Sequence, residues 1–220
     1  MADRHTRASE PEIIEDPVER ANLEARNAFE QFEAVISLIE QWTEPGHPPF
    51  RLRPSVILQL QRIALRGLSA YAGVFRPAGI DIGGSQHKPV QAFLVPTHVE
   101  EMCDYVFDNW LKPPIHLMAY VLWRLNWIHP FTDGNGRTAR AVAYLVLCVR
   151  LGYRLPGTKS IPELIAADKD PYYAALEAAD KDDLTILEKL LAALLARQLY
   201  DIHRAATEGD DSHSPNRTFH

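Results

Sequence analysis

The segment His129-Pro-Phe-Thr-Asp-Gly-Asn-Gly-Arg-Thr-Ala-Arg140 gathers a titratable base, a carboxylate, a Gly-Asn-Gly turn and two arginines directly before an apolar run. A glycine-flanked turn that opens a helix leaves several backbone N–H groups pointing outward, where an anion can bind. Gly134 and Gly136 let the backbone approach a phosphate closely, and Asn135 adds a side-chain donor. Arg137 and Arg140 are three positions apart, so a helix sets them on one face, in reach of further phosphates. Asp133 is a hard oxygen ligand, suited to a Mg²⁺ ion shared with phosphate oxygens. His129, with an ordinary pKa of about 6.5, can take a proton at neutral pH. Together these groups describe a place that holds a polyphosphate and acts on it.

Singly, each has a plainer reading. A histidine before Pro-Phe packs, Asp-Gly-Asn-Gly makes a surface turn, and an arginine pair at helical spacing lies on a solvated face. Their occurrence together in fixed order is what favours a site. Competing motifs do not fit. An EF-hand loop beginning at Asp133 needs an oxygen ligand at its fifth place and Glu at its twelfth, where Arg137 and Tyr144 stand. The chain has no GxxxxGK[ST] phosphate loop, no third glycine of a dinucleotide fingerprint, and no HExxH or CxxC for zinc.

The motif must be positioned by a folded body, and 220 residues suffice for one domain with a substantial core. With 46% hydrophobic and 24% charged residues, the composition is that of a soluble globule. A formal charge of −6 argues against general binding to nucleic acid or acidic membranes. Cys103 and Cys148 read as buried thiols in a reduced, cytoplasmic setting. No secretory signal is expected from the polar start, and the apolar run Ile115 to Ile128 is too short for a membrane span.

Helix signals recur along the chain. Asp16-Pro17-Val18-Glu19 starts a long amphipathic helix, expected from Pro17 to about Trp42, with Phe29, Phe32, Ile36 and Ile39 on its apolar face. A second helix is expected from Ser55 to about Gly67. A capping box at Thr97-His-Val-Glu100 opens a third, and a buried run after Pro114 ends at His129. The motif helix is expected from Asn135 to about Gly152. Ser160-Ile-Pro-Glu163 and Asp170-Pro171 cap two short helices, and Leu184 to about His203 forms a last one. Between Phe75 and Pro96, short alternating runs flank Gly83-Gly84-Ser85 and suggest a β-hairpin or an irregular flap, about residues 79–93. Residues 1–15 read as a flexible lead, 16–205 as the domain, and 206–220 as a disordered tail.

The motif resembles the signature of the Fic (Fido) family, HPFx[D/E]GNGRxxR, at every defining position. Ala119 to His129 looks like the family's helix leading into the motif, and Tyr144 to Pro156 like the helix leaving it. About residues 20–200 look family-like. The resemblance implies an all-α bundle with a small β-hairpin flap beside the active site, along which a target protein would bind by strand addition. It implies transfer of AMP from ATP to a Ser, Thr or Tyr hydroxyl. His129 would be the general base and Asp133 the ligand of Mg²⁺. Gly134, Asn135 and Gly136 would form the anion hole, and Arg137 and Arg140 would hold phosphates, with Phe131 as a core anchor.

In the same family a glutamate of a [S/T]xxxE[G/N] motif can restrain the enzyme by pairing with the second arginine, here Arg140. The N-terminal candidate is Glu24 in Arg20-Ala-Asn-Leu-Glu24-Ala25, which departs from the pattern at both flanking positions. The resemblance also leaves room for a homodimer and for a separate antitoxin-like inhibitor chain. Other transfers on the same fold stand as alternatives: removal of AMP, use of another nucleotide, or Doc-like phosphorylation. Gly136 favours nucleotidyl transfer, since Doc-like motifs usually carry Lys there. A non-catalytic binding module would be favoured by loss of His129, Asp133 or Arg137, and none is lost.

Overall fold

The computed structural model describes residues 6–7, 10, 13–157 and 159–210, with backbone alone for residues 6–7 and 201–210. Eight α-helices make up the described fold: α1 (Pro17–Thr43), α2 (Pro54–Leu65), α3 (Val95–Asp108), α4 (Pro114–Ile128), α5 (Asn135–Leu151), α6 (Ile161–Ala167), α7 (Asp170–Ala179) and α8 (Thr185–Asp210). The all-α expectation holds. The last helix runs past the expected boundary at 205, and residues 211–220 lie outside the described part.

Helix α5 is the centre. Every residue from Ala141 to Val149 is buried, and a helix apolar all round must be enclosed by others. Helix α4 packs along one side of it, α1 and α2 along others, and α6 also touches it. Leu117, Val121, Leu122, Leu125 and Ile128 supply the inner face of α4.

Helix α1 starts where expected, because Asp16 Oδ1 accepts from the N–H groups of Val18 (2.7 Å) and Glu19 (3.0 Å). Two amides on its buried stripe hold it to α2. Asn27 Nδ2 donates to the carbonyls of Arg66 (2.8 Å) and Ala64 (3.3 Å), and Gln31 Nε2 donates to Leu60 O (3.0 Å). The first pair satisfies carbonyls that the end of α2 leaves without helical partners.

Two expectations need correction. Helix α3 begins at Val95, before the Thr97 box, and no side chain caps it. A 3₁₀ turn at Ala92–Leu94 feeds into it, and Pro96 sits in its first turn, where a proline is well tolerated. The expected hairpin at 79–93 is not formed either. Its one strand, β2 (Asp81–Ile82), pairs antiparallel with β1 (Thr6–Arg7), with Thr6 opposite Ile82. The apparent alternation of residues 90–95 is the approach to a helix, since Val95 and Val99, four apart, are both fully buried.

The packing around α5 makes Leu145→Ala, at a position with 0% exposure, a cavity-forming change. A loss of about 2–5 kcal/mol in urea unfolding is expected; a loss under 1 kcal/mol would mean that α5 is less enclosed than described.

Candidate active site

Between α4 and α5 the chain reverses within residues 129–134. His129 caps α4 in the left-handed region (φ 51°, ψ 62°), with its N–H still bonded to Leu125 O at 3.0 Å. A non-glycine residue there is uncommon. Gly134 (φ 75°) turns the chain into α5, and a Cβ at that position would lie 2.3 Å from Leu65 Cδ2. Glycine is therefore required by the backbone angle and by the neighbour.

The turn is stapled from inside. Asn135 Oδ1 accepts from Phe131 N (2.9 Å), while its Nδ2 donates to Phe131 O (2.8 Å). The Asn135 side chain, expected to face a phosphate, thus shapes the turn, and its place in the site rests on its backbone N–H. Phe131 is buried and stacks with Phe75, centroids 5.9 Å apart, as expected of an anchor.

Arg76 holds this turn from the other side, and nothing in the sequence pointed to it. It is 2% exposed. Its Nε donates to His129 O (2.8 Å), one terminal nitrogen to Ala78 O (2.9 Å), and the other to Val90 O and, at 3.5 Å, to Ile128 O. Its own N–H donates to Pro130 O at 2.9 Å. The guanidinium joins the end of α4 to both ends of the 79–93 segment.

The His129 side chain sits in this enclosure with 7% of its surface exposed. Burial pushes its pKa down to about 4, with the positive charge of Arg76 adding to the effect and the carbonyl of Asn126 opposing it. Nδ1 lies 3.3 Å from that carbonyl. Since a carbonyl only accepts, Nδ1 carries the hydrogen and Nε2 is the basic nitrogen of a neutral ring.

Helical hydrogen bonding in α5 starts with Thr138 N to Gly134 O at 2.9 Å. The N–H groups of residues 135–137 therefore have no carbonyl of their own helix to bond, and they mark its positive end. Asp133 Oδ1 accepts from Gly134 N at 2.6 Å. Its Oδ2 lies 3.7 Å from Arg137, whose other terminal nitrogen is 3.8 Å from Glu24 Oε2. Glu24 also pairs with Arg20 at 3.4 Å. The arginine that Glu24 meets in this ion pair is Arg137, where Arg140 was expected.

A cavity of about 430 Å³ opens on this turn. Glu24, His129, Asp133, Gly134, Asn135, Gly136, Arg137 and Arg140 all line it, so the structure brings every sequence-derived site residue to one place. Among the described residues no group of three or more His, Cys, Asp or Glu side chains could cage a metal. Asp133 alone, with a half-exposed carboxylate, suits an ion that takes its other ligands from phosphate and water. Sequence reasoning missed the opposite wall, built by Trp123, Trp127, Tyr172, Tyr173 and Asp180 with His87 from the 79–93 segment. Helical spacing marks such residues as packing groups, and only the tertiary fold turns them onto the cavity.

The chain is similar to known proteins over much of this body. Residues 51–147 match the Fic/DOC family. The chain is similar to a Fido domain-containing protein of Dictyostelium discoideum, 32% identical over 53% of this chain and 78% of that one. It is also similar to the protein adenylyltransferase fic-1 of Caenorhabditis briggsae, 31% identical over 58% of this chain. The match covers 24% of that relative, so the chain spans a minor part of its length. Among solved structures, Fic-1 of C. elegans superposes with a TM-score of 0.65 and 25% identity, over 84% of this chain and 53% of that one.

Replacing Arg76 by Met leaves its carbonyl partners without their donor, and a loss of about 3 kcal/mol or more in urea unfolding is expected. Lys at this position keeps the charge but not the fork, and is expected to lose nearly as much. The depressed His129 pKa has a signed consequence. Between pH 6.5 and about 4 the unfolded chain binds a proton that the folded chain refuses. Stability that is present above pH 6.5 therefore falls as pH falls through that window, by about 3 kcal/mol in all. Unfolding of wild type and His129→Ala from pH 7 to 4 checks this, since the variant lacks that part of the slope. Equal slopes would show that the imidazole is not held neutral by burial.

Proposed function

The chain belongs to the Fic/DOC family, and on that premise we propose that it transfers AMP from ATP to a hydroxyl of a protein side chain. The observation that carries this reading is a neutral, buried imidazole with a defined basic nitrogen, set beside the open N-terminus of a helix and a cationic side chain. The names of the relatives support ATP as co-substrate.

The chemistry follows from what each group can do. The target hydroxyl oxygen attacks the α-phosphorus while its proton passes to His129 Nε2. The oxygen–phosphorus bond to the target forms as the bond from the α-phosphorus to the bridging oxygen breaks, and pyrophosphate leaves with that electron pair. The N–H groups of residues 135–137 and the Arg137 guanidinium stabilise the charge gathering on phosphate oxygens. His129 binds protons weakly in the empty site, where burial disfavours its cation. Phosphate anions beside the ring favour that cation, so the base gains strength where the nucleotide lies. Asp133 would hold Mg²⁺ against the phosphates; when bound, the ion neutralises charge on the transferring and leaving groups.

Glu24 gives the site its restraint. Its carboxylate occupies the side of Arg137 that a phosphate would use, and adds negative charge beside that place. The target segment is proposed to lie along 79–93, where β2 already forms strand pairing with another part of the chain.

Incubation with ATP labelled at the α- or γ-phosphate tests the reading. Protein is expected to retain label from the α position only, and Glu24→Gly to raise incorporation at least tenfold. His129→Ala in that background is expected to lower transfer by 10²-fold or more while the dissociation constant for ATP changes by less than about threefold. Retention of γ label would mean phosphorylation instead. Full activity without His129 would remove it as the base, and no gain from Glu24→Gly would remove the restraint.

A further inference from the structure

Along α4 the cavity has two ends of opposite character. Glu24, Arg137 and the start of α5 form one, and Trp123 with Asp180 forms the other. Trp123 precedes His129 by six residues, about 9 Å along the helix at 1.5 Å per residue. If the α-phosphate lies beside His129, a ribose and base extending away from the arginines reach that second end. Its walls are the flat or apolar side chains of Trp127, Tyr173 and Leu176, suited to the faces of a planar ring.

The acceptor that this end leaves open is the Asp180 carboxylate. Asp180 Oδ1 accepts from Trp123 Nε1 at 2.9 Å. Its Oδ2 makes no hydrogen bond among the described residues, and His87 Nδ1 is 3.9 Å away, too far for one. His87 Nε2 lies 2.8 Å from Trp127 O, so that nitrogen carries a hydrogen and is engaged there. The nearby amide of Asn126 already donates to Leu122 O (2.6 Å) and Tyr172 Oη (2.9 Å). Lys169 also lines the cavity, but at the far end of α7 from Asp180, about 16 Å away along the helix.

We infer that Asp180 reads the base of the bound nucleotide, its Oδ2 accepting from the 6-amino group of adenine. A keto oxygen at the same place would face a carboxylate and be repelled. This assignment rests on the nucleotide reading above and adds to it the residue that selects the base. It also carries a reversal of sign. In Asp180→Asn the oxygen must stay on the Trp123 indole, so the amide NH₂ takes the place of Oδ2. An acceptor becomes a donor, and the preference turns from an amino to a keto base.

Calorimetric titration in the Glu24→Gly background tests this with ATP, ITP, GTP, purine riboside triphosphate (which lacks the amino group) and inorganic tripolyphosphate. The unaltered Asp180 protein is expected to bind ATP roughly ten- to a hundredfold tighter than ITP or the purine analogue. Asp180→Asn is expected to bind ITP tighter than ATP, and Asp180→Ala to bind all purine nucleotides alike. Tripolyphosphate affinity should not change between them. Equal affinity of the starting protein for ATP and the purine analogue would overturn the role of Asp180 while leaving the phosphate site standing. Tighter binding of GTP than ATP would show the carboxylate taking the guanine N1–H and 2-amino group, and would overturn the choice of adenine. Failure of every ligand to bind, tripolyphosphate included, would overturn the nucleotide reading and this inference with it.

Discussion

The interaction on which the site depends is the Arg76 guanidinium enclosed by main-chain carbonyls. Two come from the end of α4, Ile128 and His129, and two from the ends of the 79–93 segment, Ala78 and Val90. Burial lowers the Arg76 pKa, yet an arginine remains charged in proteins, so its desolvation must be offset by what surrounds it. The last carbonyls of a helix carry its negative partial charge, and a cation among them is well placed. One side chain thus fixes where α4 stops and where the neighbouring segment begins and ends. The motif turn and the segment beside it are consequently one unit.

That unit tolerates local arrangements that a stable fold would otherwise avoid. His129 adopts a left-handed backbone without being glycine, and its imidazole is held where its charged form is disfavoured. Both features reduce stability, and both serve the chemistry assigned to the site. The backbone turn aims the ring from the end of α4 toward the start of α5, and burial keeps the ring neutral and able to accept a proton. Strain of this kind survives where surrounding contacts over-determine the geometry. Here those contacts are the Asn135 staple on Phe131, the Phe75 stack and the Arg76 clamp.

What could be read in advance was what the chain encodes locally. Helix starts at Asp16 and Ser160 were visible because a cap and its partner lie within three residues, and both caps are formed in the structure. The motif was visible because its chemistry is contiguous, and its candidate site residues meet on one cavity. The opposite wall was not. Asp180 acquires its meaning from Trp123 and His87, far away in the chain, and an aspartate at the end of a short helix otherwise reads as a surface residue. Arg76 is a single arginine between Phe75 and Pro77, with nothing local to mark its partners. The strand at 81–82 was placed in the right region but given the wrong partner, because Val90 to Val95 shows a short alternation that a helix beginning at Val95 can produce as well.

The two ends of the cavity have a joint consequence that neither has alone. At the motif end, helix N–H groups and arginines present positive potential, interrupted by the carboxylate of Glu24 at its rim. At the other end, the Asp180 carboxylate is set among aromatic rings. A ligand with an anionic tail and a planar head that bears a donor satisfies both, and the same ligand reversed satisfies neither. A phosphate chain at the Asp180 end would meet a carboxylate, and a base at the Arg137 end would gain nothing from the guanidinium that Asp133 and Glu24 already face. On the proposed reading, the cavity would fix the direction of a nucleotide before any base contact is made. That direction would bring the α-phosphorus, the phosphorus next to the ribose, to His129, which stands between the two ends.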